Sequence, residues 1–336
     1  MRVLVTGGAG FIGSHYARTL LAGGYPGYED ADVTVLDALT YAGNPANLAQ
    51  VSASPRLTFV TGNICDPRLL AELLPGHDAV VNFAAETHVD RSIAGAAEFV
   101  TSNVTGVQVL LDACMRAGIP RIVHVSTDEV YGSIAAGSWS EDAPLSPNSP
   151  YAAAKAGGDL MALAYARTHG LDVSITRCCN NYGPYQYPEK VIPLFVTRLA
   201  DGDPVPLYGD GLNVRGWIHV DDHCRGVQLV LEKGKPGAVY HINGDTELTN
   251  RELTAAILDA CGATWDIVVP VTDRPGHDRR YCLDDSLLRS MGYAPRIAFP
   301  GGLKATIDWY AANRGWWEPL QRPGPPPPLR PAGATR

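Results

Sequence analysis

Two short stretches carry side chains whose types and spacing suit acid–base chemistry. Tyr151 and Lys155 stand four apart in Tyr151-Ala152-Ala153-Ala154-Lys155, directly after Pro150. On a helix that spacing puts both on one face as neighbours. A free tyrosine has a pKa of about 10, and bringing it near neutrality takes roughly 4 kcal/mol of differential stabilisation. A desolvated ammonium at Lys155, with any further positive charge nearby, is a source of that stabilisation. The tyrosinate can then accept the proton of a substrate hydroxyl as hydride leaves. Taken alone, the spacing equally describes an exposed helix face.

The second stretch is Ser126-Thr127-Asp128-Glu129-Val130-Tyr131-Gly132, which follows the apolar run Arg121–Val125. Carboxyl ends of strands face the ligand crevice in a doubly wound sheet. Adjacent carboxylates there repel each other, which raises one pKa and separates the pair into an acid and a base. A third feature supplies a partner for both. Gly7-Gly8-Ala9-Gly10-Phe11-Ile12-Gly13 follows a strand-like run and opens a helical one. Glycines at 7, 10 and 13 permit a tight turn and close approach of backbone to a pyrophosphate, which the helix N-terminus favours. Asp37, at the end of the second strand-like run, can accept bonds from ribose hydroxyls and would repel a 2′-phosphate. The spacing therefore predicts NAD over NADP, and a nicotinamide ring beside Tyr151 adds the positive charge sought above.

The elements that must position these residues are legible as alternating runs. Strands are expected at Arg2–Thr6, Val33–Leu36, Leu57–Thr61, Ala79–Phe83, Arg121–Ser126 and Val173–Thr176. Amphipathic helices are expected at Phe11–Ala22, Val100–Ala117 and Tyr151–His169. Such alternation predicts an α/β fold, a Rossmann-type doubly wound parallel sheet. Beyond residue 177 the helical stretches Val191–Ala200, Asp222–Glu232 and Asn250–Ala260 are separated by Gly- and Pro-rich loops. The division expected is an NAD-binding domain over 1–177, with segments around 216–246 returning to it. A smaller mixed α/β substrate-binding domain would span 178–320. The tail 321–336, rich in proline, is expected to be disordered.

Charged residues are 18% and hydrophobic ones 46%, the balance of an ordinary soluble globular chain, and the net charge of −8 argues against nucleic-acid binding. No apolar run reaches the length of a membrane span, and no signal peptide is evident. The seven cysteines show no paired zinc spacing and read as reduced cytoplasmic thiols. His88 lies near Asp90 without a third ligand at plausible spacing, so no metal is expected.

With a glycine loop, a Tyr-Lys pair and STDEVYG in one chain, the sequence resembles the extended short-chain dehydrogenase/reductases. Within them it resembles the nucleotide-sugar 4,6-dehydratases, especially those acting on dTDP-glucose. Asp37-Ala38-Leu39-Thr40-Tyr41-Ala42-Gly43-Asn44, Asn82–Ser92, Asn180–Gln186 and Arg274–Tyr281 carry the resemblance, which covers about residues 1–317. It implies that Tyr151 deprotonates the glucose C4 hydroxyl, held in line by Thr127, while C4–H passes as hydride to NAD. Glu129 then removes the C5 proton and protonated Asp128 donates to the departing C6 hydroxyl. The hydride returns to C6, so NAD is regenerated.

The resemblance further implies that Leu39 and Thr40 border the adenosine and that Asn63 and Ile64 lie near adenine. Phe83, Ala84, Ala85, Ser102 and Asn181 would flank the cofactor. Thr87 would reach the sugar. The nucleotide diphosphate would meet Asn180, Lys190, Val191, Pro206, Tyr208, Arg215, Asn250, Arg274, His277 and Tyr281. The family usually has Asp at Asn63, where either residue can accept a bond and adenine recognition should survive, and its common Asp at Gly216 puts the local support of Arg215 in question. It is usually a homodimer through paired helices, here Val100–Ala117 and Tyr151–His169. Two other readings stand beside this one. A 4-epimerase would share Tyr151 and NAD but typically lacks the acidic pair, and a non-catalytic NAD-binding regulator often loses the Tyr-Lys pair.

Overall fold

The computed structural model describes residues 1–321, so the proline-rich tail lies outside the described residues apart from its first position. The described residues form twelve strands: β1 (Arg2–Thr6), β2 (Asp32–Asp37), β3 (Leu57–Thr61), β4 (Ala79–Asn82), β5 (Arg121–Thr127), β6 (Val173–Cys178), β7 (Asn180–Tyr182), β8 (Val205–Tyr208), β9 (Val214–His219), β10 (Val239–Ile242), β11 (Thr246–Thr249) and β12 (Val268–Val271). Seven form one sheet in the order β10-β6-β5-β4-β1-β2-β3. Every pairing within it is parallel.

β1, β4, β5 and β6 are apolar runs because both faces of this sheet are covered. On one face the helices Phe11–Leu21 and Val220–Lys233 bury Tyr16, Leu20, Val227 and Val230 against Val3, Val5 and Val81. On the other, Val107–Ala117 and Pro150–His169 bury Leu110, Leu111 and Ala162 against Leu4, Val80 and Ile122. Strand order reverses between β1 and β4, and the crevice at that reversal receives the loops after both strands.

The Rossmann-type reading therefore holds, with two differences. The seventh strand, β10, was not among the expected strands, although it falls within the returning segment 216–246. The expected helix Val100–Ala117 is not continuous. Ala97–Val100 runs into a π-helical stretch, Thr101–Gly106, before the α-helix Val107–Ala117 begins. Beyond β6 lie the three-stranded sheet β11-β9-β7 and the pair β12-β8. A separate core there joins Trp217, Phe195, Ile257, Leu303 and Tyr310. Among the described residues no helix is long and apolar enough to cross a membrane, all seven cysteines are free, and no cluster of ligands could hold a metal.

Candidate active site

The loop Gly7–Gly13 is built by its backbone. Gly7 N–H donates to the Leu36 carbonyl at 2.8 Å, and Gly10 N–H to the Gly7 carbonyl at 3.1 Å. Gly7 has a φ of +66°, and a Cβ on it would meet the Ala84 nitrogen at 2.6 Å. Glycine is required there on both counts. Gly10 caps the helix Phe11–Leu21 without a side chain, and no acidic residue occupies the first turn. Its leading N–H groups are left for an anion, so the cradle fits a dinucleotide pyrophosphate. Asp37 accepts from Ala9 N–H and Leu39 N–H, each at 2.8 Å. Leu39, whose φ is +51°, is held in its left-handed conformation by that bond.

A cleft of about 300 Å³ runs from this loop to Lys190. Gly7, Gly10, Phe11, Ile12, Gly13, Asp37, Thr40, Asn63, Ile64, Phe83, Ala84, Ala85, Ser102 and Asn181 line its dinucleotide side. Leu39 alone among the expected cofactor positions does not. Asn63 Oδ1 already accepts from Cys65 N–H at 2.9 Å, leaving the amide nitrogen free. Asparagine thus presents a donor at this position that aspartate would not. Ser102 reaches the cleft from the π-helical stretch.

Thr87, Thr127, Asp128, Glu129, Tyr151, Lys155, Asn180 and Lys190 line the far side. Thr127, at the end of β5, caps a short 3₁₀ turn over Asp128–Tyr131: its hydroxyl accepts from Glu129 N–H at 3.3 Å and lies 3.2 Å from Asp128 Oδ1. Asp128 is buried, and its Oδ2 has no partner among the described residues. Burial first, and then the Glu129 carboxylate, push Asp128 up to about 8. Burial also raises Glu129, opposed by Arg274, Arg215 and Lys190. Both carboxyls are thus raised, Asp128 with the neighbouring Glu129 charge among its causes and Glu129 with three cations opposing.

Tyr151 is buried beside these carboxyls. Burial and the Glu129 carboxylate raise its pKa, a hydrogen bond with Thr127 opposing them. Lys155 Nζ donates to the Val125 carbonyl at 2.7 Å, and burial lowers its pKa while Asp159 raises it.

The remaining expected positions stand beyond the cleft wall. Arg215 stacks over the Tyr281 ring at 4.2 Å and donates to the Asp278 carbonyl at 2.8 Å. Tyr281 donates to Asp278 Oδ2 at 2.6 Å and lies 3.5 Å from Glu129 Oε2. Gly216 sits against Asn243 and Cys179, so Arg215 takes its support from Tyr281 and Asp278. Tyr208 and Arg274 both reach Asp90, at 3.2 and 3.4 Å, and His277 contacts Asp273 at 2.6 Å. Val191 opens the helix after Lys190, Pro206 lies within β8 and Asn250 opens the helix after β11. Two cleft carboxylates, buried Glu86 and partly buried Glu189, were not anticipated. Both sit inside or beside stretches already singled out, Glu189 directly before Lys190.

A doubly wound domain with a dinucleotide cradle, a buried Tyr-Lys pair and two adjacent carboxyls in one cleft defines a short-chain dehydrogenase/reductase able to perform acid–base chemistry. The profile of the GDP-mannose 4,6 dehydratase family matches residues 4–306, and the chain belongs to that family. It is 60% identical over 324 residues to a dTDP-glucose 4,6-dehydratase of Streptomyces niveus, covering 96% of each chain. With a second such enzyme, from Streptomyces antibioticus, identity is 61% over 337 residues, 99% of this chain and 100% of that one. The dTDP-glucose 4,6-dehydratase of Streptomyces venezuelae, crystallised with NAD bound, superposes with a TM-score of 0.94 at 64% identity, covering 95% of this chain and all of that one.

Proposed function

We propose that the chain dehydrates dTDP-glucose to dTDP-4-keto-6-deoxyglucose, releasing one water, with NAD held and recycled. The observation that carries this reading is the adjacent carboxyl pair, buried Asp128 and partly buried Glu129, in the same cleft as Tyr151 and Lys155. The glycine loop, Asp37 and the residues lining its side of the cleft would hold NAD. Bound NAD supplies a reversible hydride acceptor and positive charge beside Tyr151.

Tyr151 takes the proton of the C4 hydroxyl, with Thr127 orienting that hydroxyl and Lys155 supplying positive charge. Oxidation at C4 acidifies the C5 proton, which Glu129 removes. Arg274, Arg215 and Lys190 favour its ionised form. Asp128 keeps its proton until the C6 hydroxyl departs and delivers it there, so that water leaves; C6 then takes up the hydride removed from C4 and C5 takes back a proton. Arg215 and Arg274 would grip the diphosphate, for which a planar fork of donors is suited. Tyr208, Tyr281, His277, Asn180, Asn250, Val191 and Pro206 would surround the nucleotide.

This reading assigns the dinucleotide to a domain over 1–177 with the returning segment, and the sugar nucleotide to 178–320. We place the chain in the cytoplasm, where seven unpaired thiols persist. A homodimer through the helices at 97–117 and 150–169 is supported by Val100 and Leu160, which are about half exposed there. The test is incubation with dTDP-glucose and weighing of the product. Loss of one water is expected. Unchanged mass with inverted C4 would make the chain an epimerase, and no turnover a binding protein.

A further inference from the structure

The glycine loop is tied to the far end of the chain through one side chain. Asn47 is buried, and each of its polar groups is engaged. Its Nδ2 donates to the Ala9 carbonyl at 2.8 Å, and its Oδ1 accepts from the Trp316 indole N–H at 2.9 Å. Its backbone carbonyl accepts from Arg18 at 2.5 Å, and its N–H donates to the Asn44 carbonyl at 3.0 Å. Ala9, midway along the loop, is held on both sides. Its carbonyl also accepts from Asn44 N–H at 3.0 Å, while its own N–H goes to Asp37.

Trp316 belongs to the short helix Arg314–Trp317 that follows Phe299–Ala312. It packs on Trp309 and Tyr185, with ring centroids 5.2 and 5.4 Å away. Tyr185 has a φ of +69°, a left-handed conformation that a bulky residue keeps only where its surroundings enforce it. The enforcing groups are Trp309, at 4.5 Å, and Arg18, 4.4 Å above the ring. Arg18 therefore serves both arms, holding the Asn47 carbonyl and covering Tyr185. Neither Asn47 nor Trp316 lines the cleft, so neither reaches a ligand there.

We propose that Asn47 is a positioning residue for the dinucleotide loop and that the Trp316 N–H locks it, so that retention of the dinucleotide depends on the seating of the C-terminal helix. The inference rests on the reading of the cleft as an NAD site. An unlocked Asn47 amide can turn, and the Ala9 carbonyl then loses one of two donors, loosening the N–H groups that would face the pyrophosphate.

The test uses the full chain and two variants, Trp316→Phe and Trp309→Phe. Both retain an aromatic ring at a half-buried position, and only the first removes the Asn47 bond. NAD and dTDP dissociation constants are measured by calorimetry on cofactor-stripped protein. Trp316→Phe should weaken NAD binding about tenfold, which is about 1.4 kcal/mol, and leave dTDP binding within about twofold. Trp309→Phe should leave both nearly unchanged. Equal NAD affinity in wild type and Trp316→Phe overturns the proposal alone. An equal loss in the two variants also overturns it, because packing would then be the cause. A wild-type chain that binds no NAD overturns the functional reading and this proposal with it.

Discussion

The two sides of the cleft are held by different means. On the dinucleotide side, Gly7, Ala9 and Gly10 are fixed by main-chain bonds, and Asp37 and Asn47 spend their side chains on that backbone. Beyond the opposite wall, Arg274 and Tyr208 meet the Asp90 carboxylate, Tyr281 meets that of Asp278, and Arg215 lies over the Tyr281 ring. A site made of backbone cannot be altered without altering the fold around it, whereas one made of side chains can be tuned residue by residue. The comparison also explains where each half lies in the chain. A backbone cradle is local, and a side-chain cluster gathers contributions from Asp90 to Tyr281.

The largest effect is expected at the boundary between the two sides. Replacing Asp128 by Asn together with Glu129 by Gln should suppress dehydration by roughly 10³-fold, within the range general acid–base catalysis supplies. NAD and dTDP affinities should stay within about twofold, as calorimetry would show. Normal product formation by that double variant would remove the pair from the chemistry.

The comparison itself can be broken by two single variants read against both ligands. Gly7→Ala introduces a Cβ 2.6 Å from the Ala84 nitrogen at a positive φ. It should weaken NAD binding by about a hundredfold or more, the order of about 3 kcal/mol of backbone strain and clash. Arg215→Lys keeps the charge but loses the planar fork and the stack on Tyr281, and should weaken dTDP about tenfold with NAD unchanged. If either variant moved both affinities together, the two sides would form one cooperative site.

Legibility follows the same divide. The glycine loop, Asp37 and the Tyr-Lys pair were readable because their partners lie within a turn or at a strand end that periodicity locates. Residues such as Arg215, Arg274 and Tyr281 could be placed only by resemblance, since no local pattern says which loops converge. The seventh strand escaped because Val239–Ile242 is four residues long and flanked by Gly237 and Gly244. Thr101–Gly106 escaped because a single wide turn leaves no mark on a helical hydrophobic pattern. Contacts such as Trp316 to Asn47, separated by 269 positions, have no sequence signal at all. The roles of Lys155 and Tyr151 show another limit. Spacing placed them on one face, but the balance between burial and charge is a property of the folded surroundings.

The smallest expected effect sharpens the boundary residue itself. Asp128 is raised to about 8, by burial first and by Glu129 next, with Arg215 and Thr127 opposing. The folded chain therefore holds this proton more tightly than the unfolded chain does. Between roughly pH 4 and the folded pKa the native state binds more protons, and stability falls as pH rises. The contribution is fully present below the ordinary carboxylate pKa and is lost as pH passes through about 8. Asp128→Asn removes the titrating group, so its melting temperature should decline less between pH 6 and pH 9 than that of the wild type, by about 2–4 °C per kcal/mol of differential stability. Wild-type dehydration should fall over the same interval as the acid loses its proton. Because Glu129 is coupled to Asp128, the midpoint belongs to the pair, and Glu129→Gln should move it downward by removing the second cause of the shift. Melting curves of wild type and Asp128→Asn that run parallel from pH 6 to pH 9 would place that proton on another group.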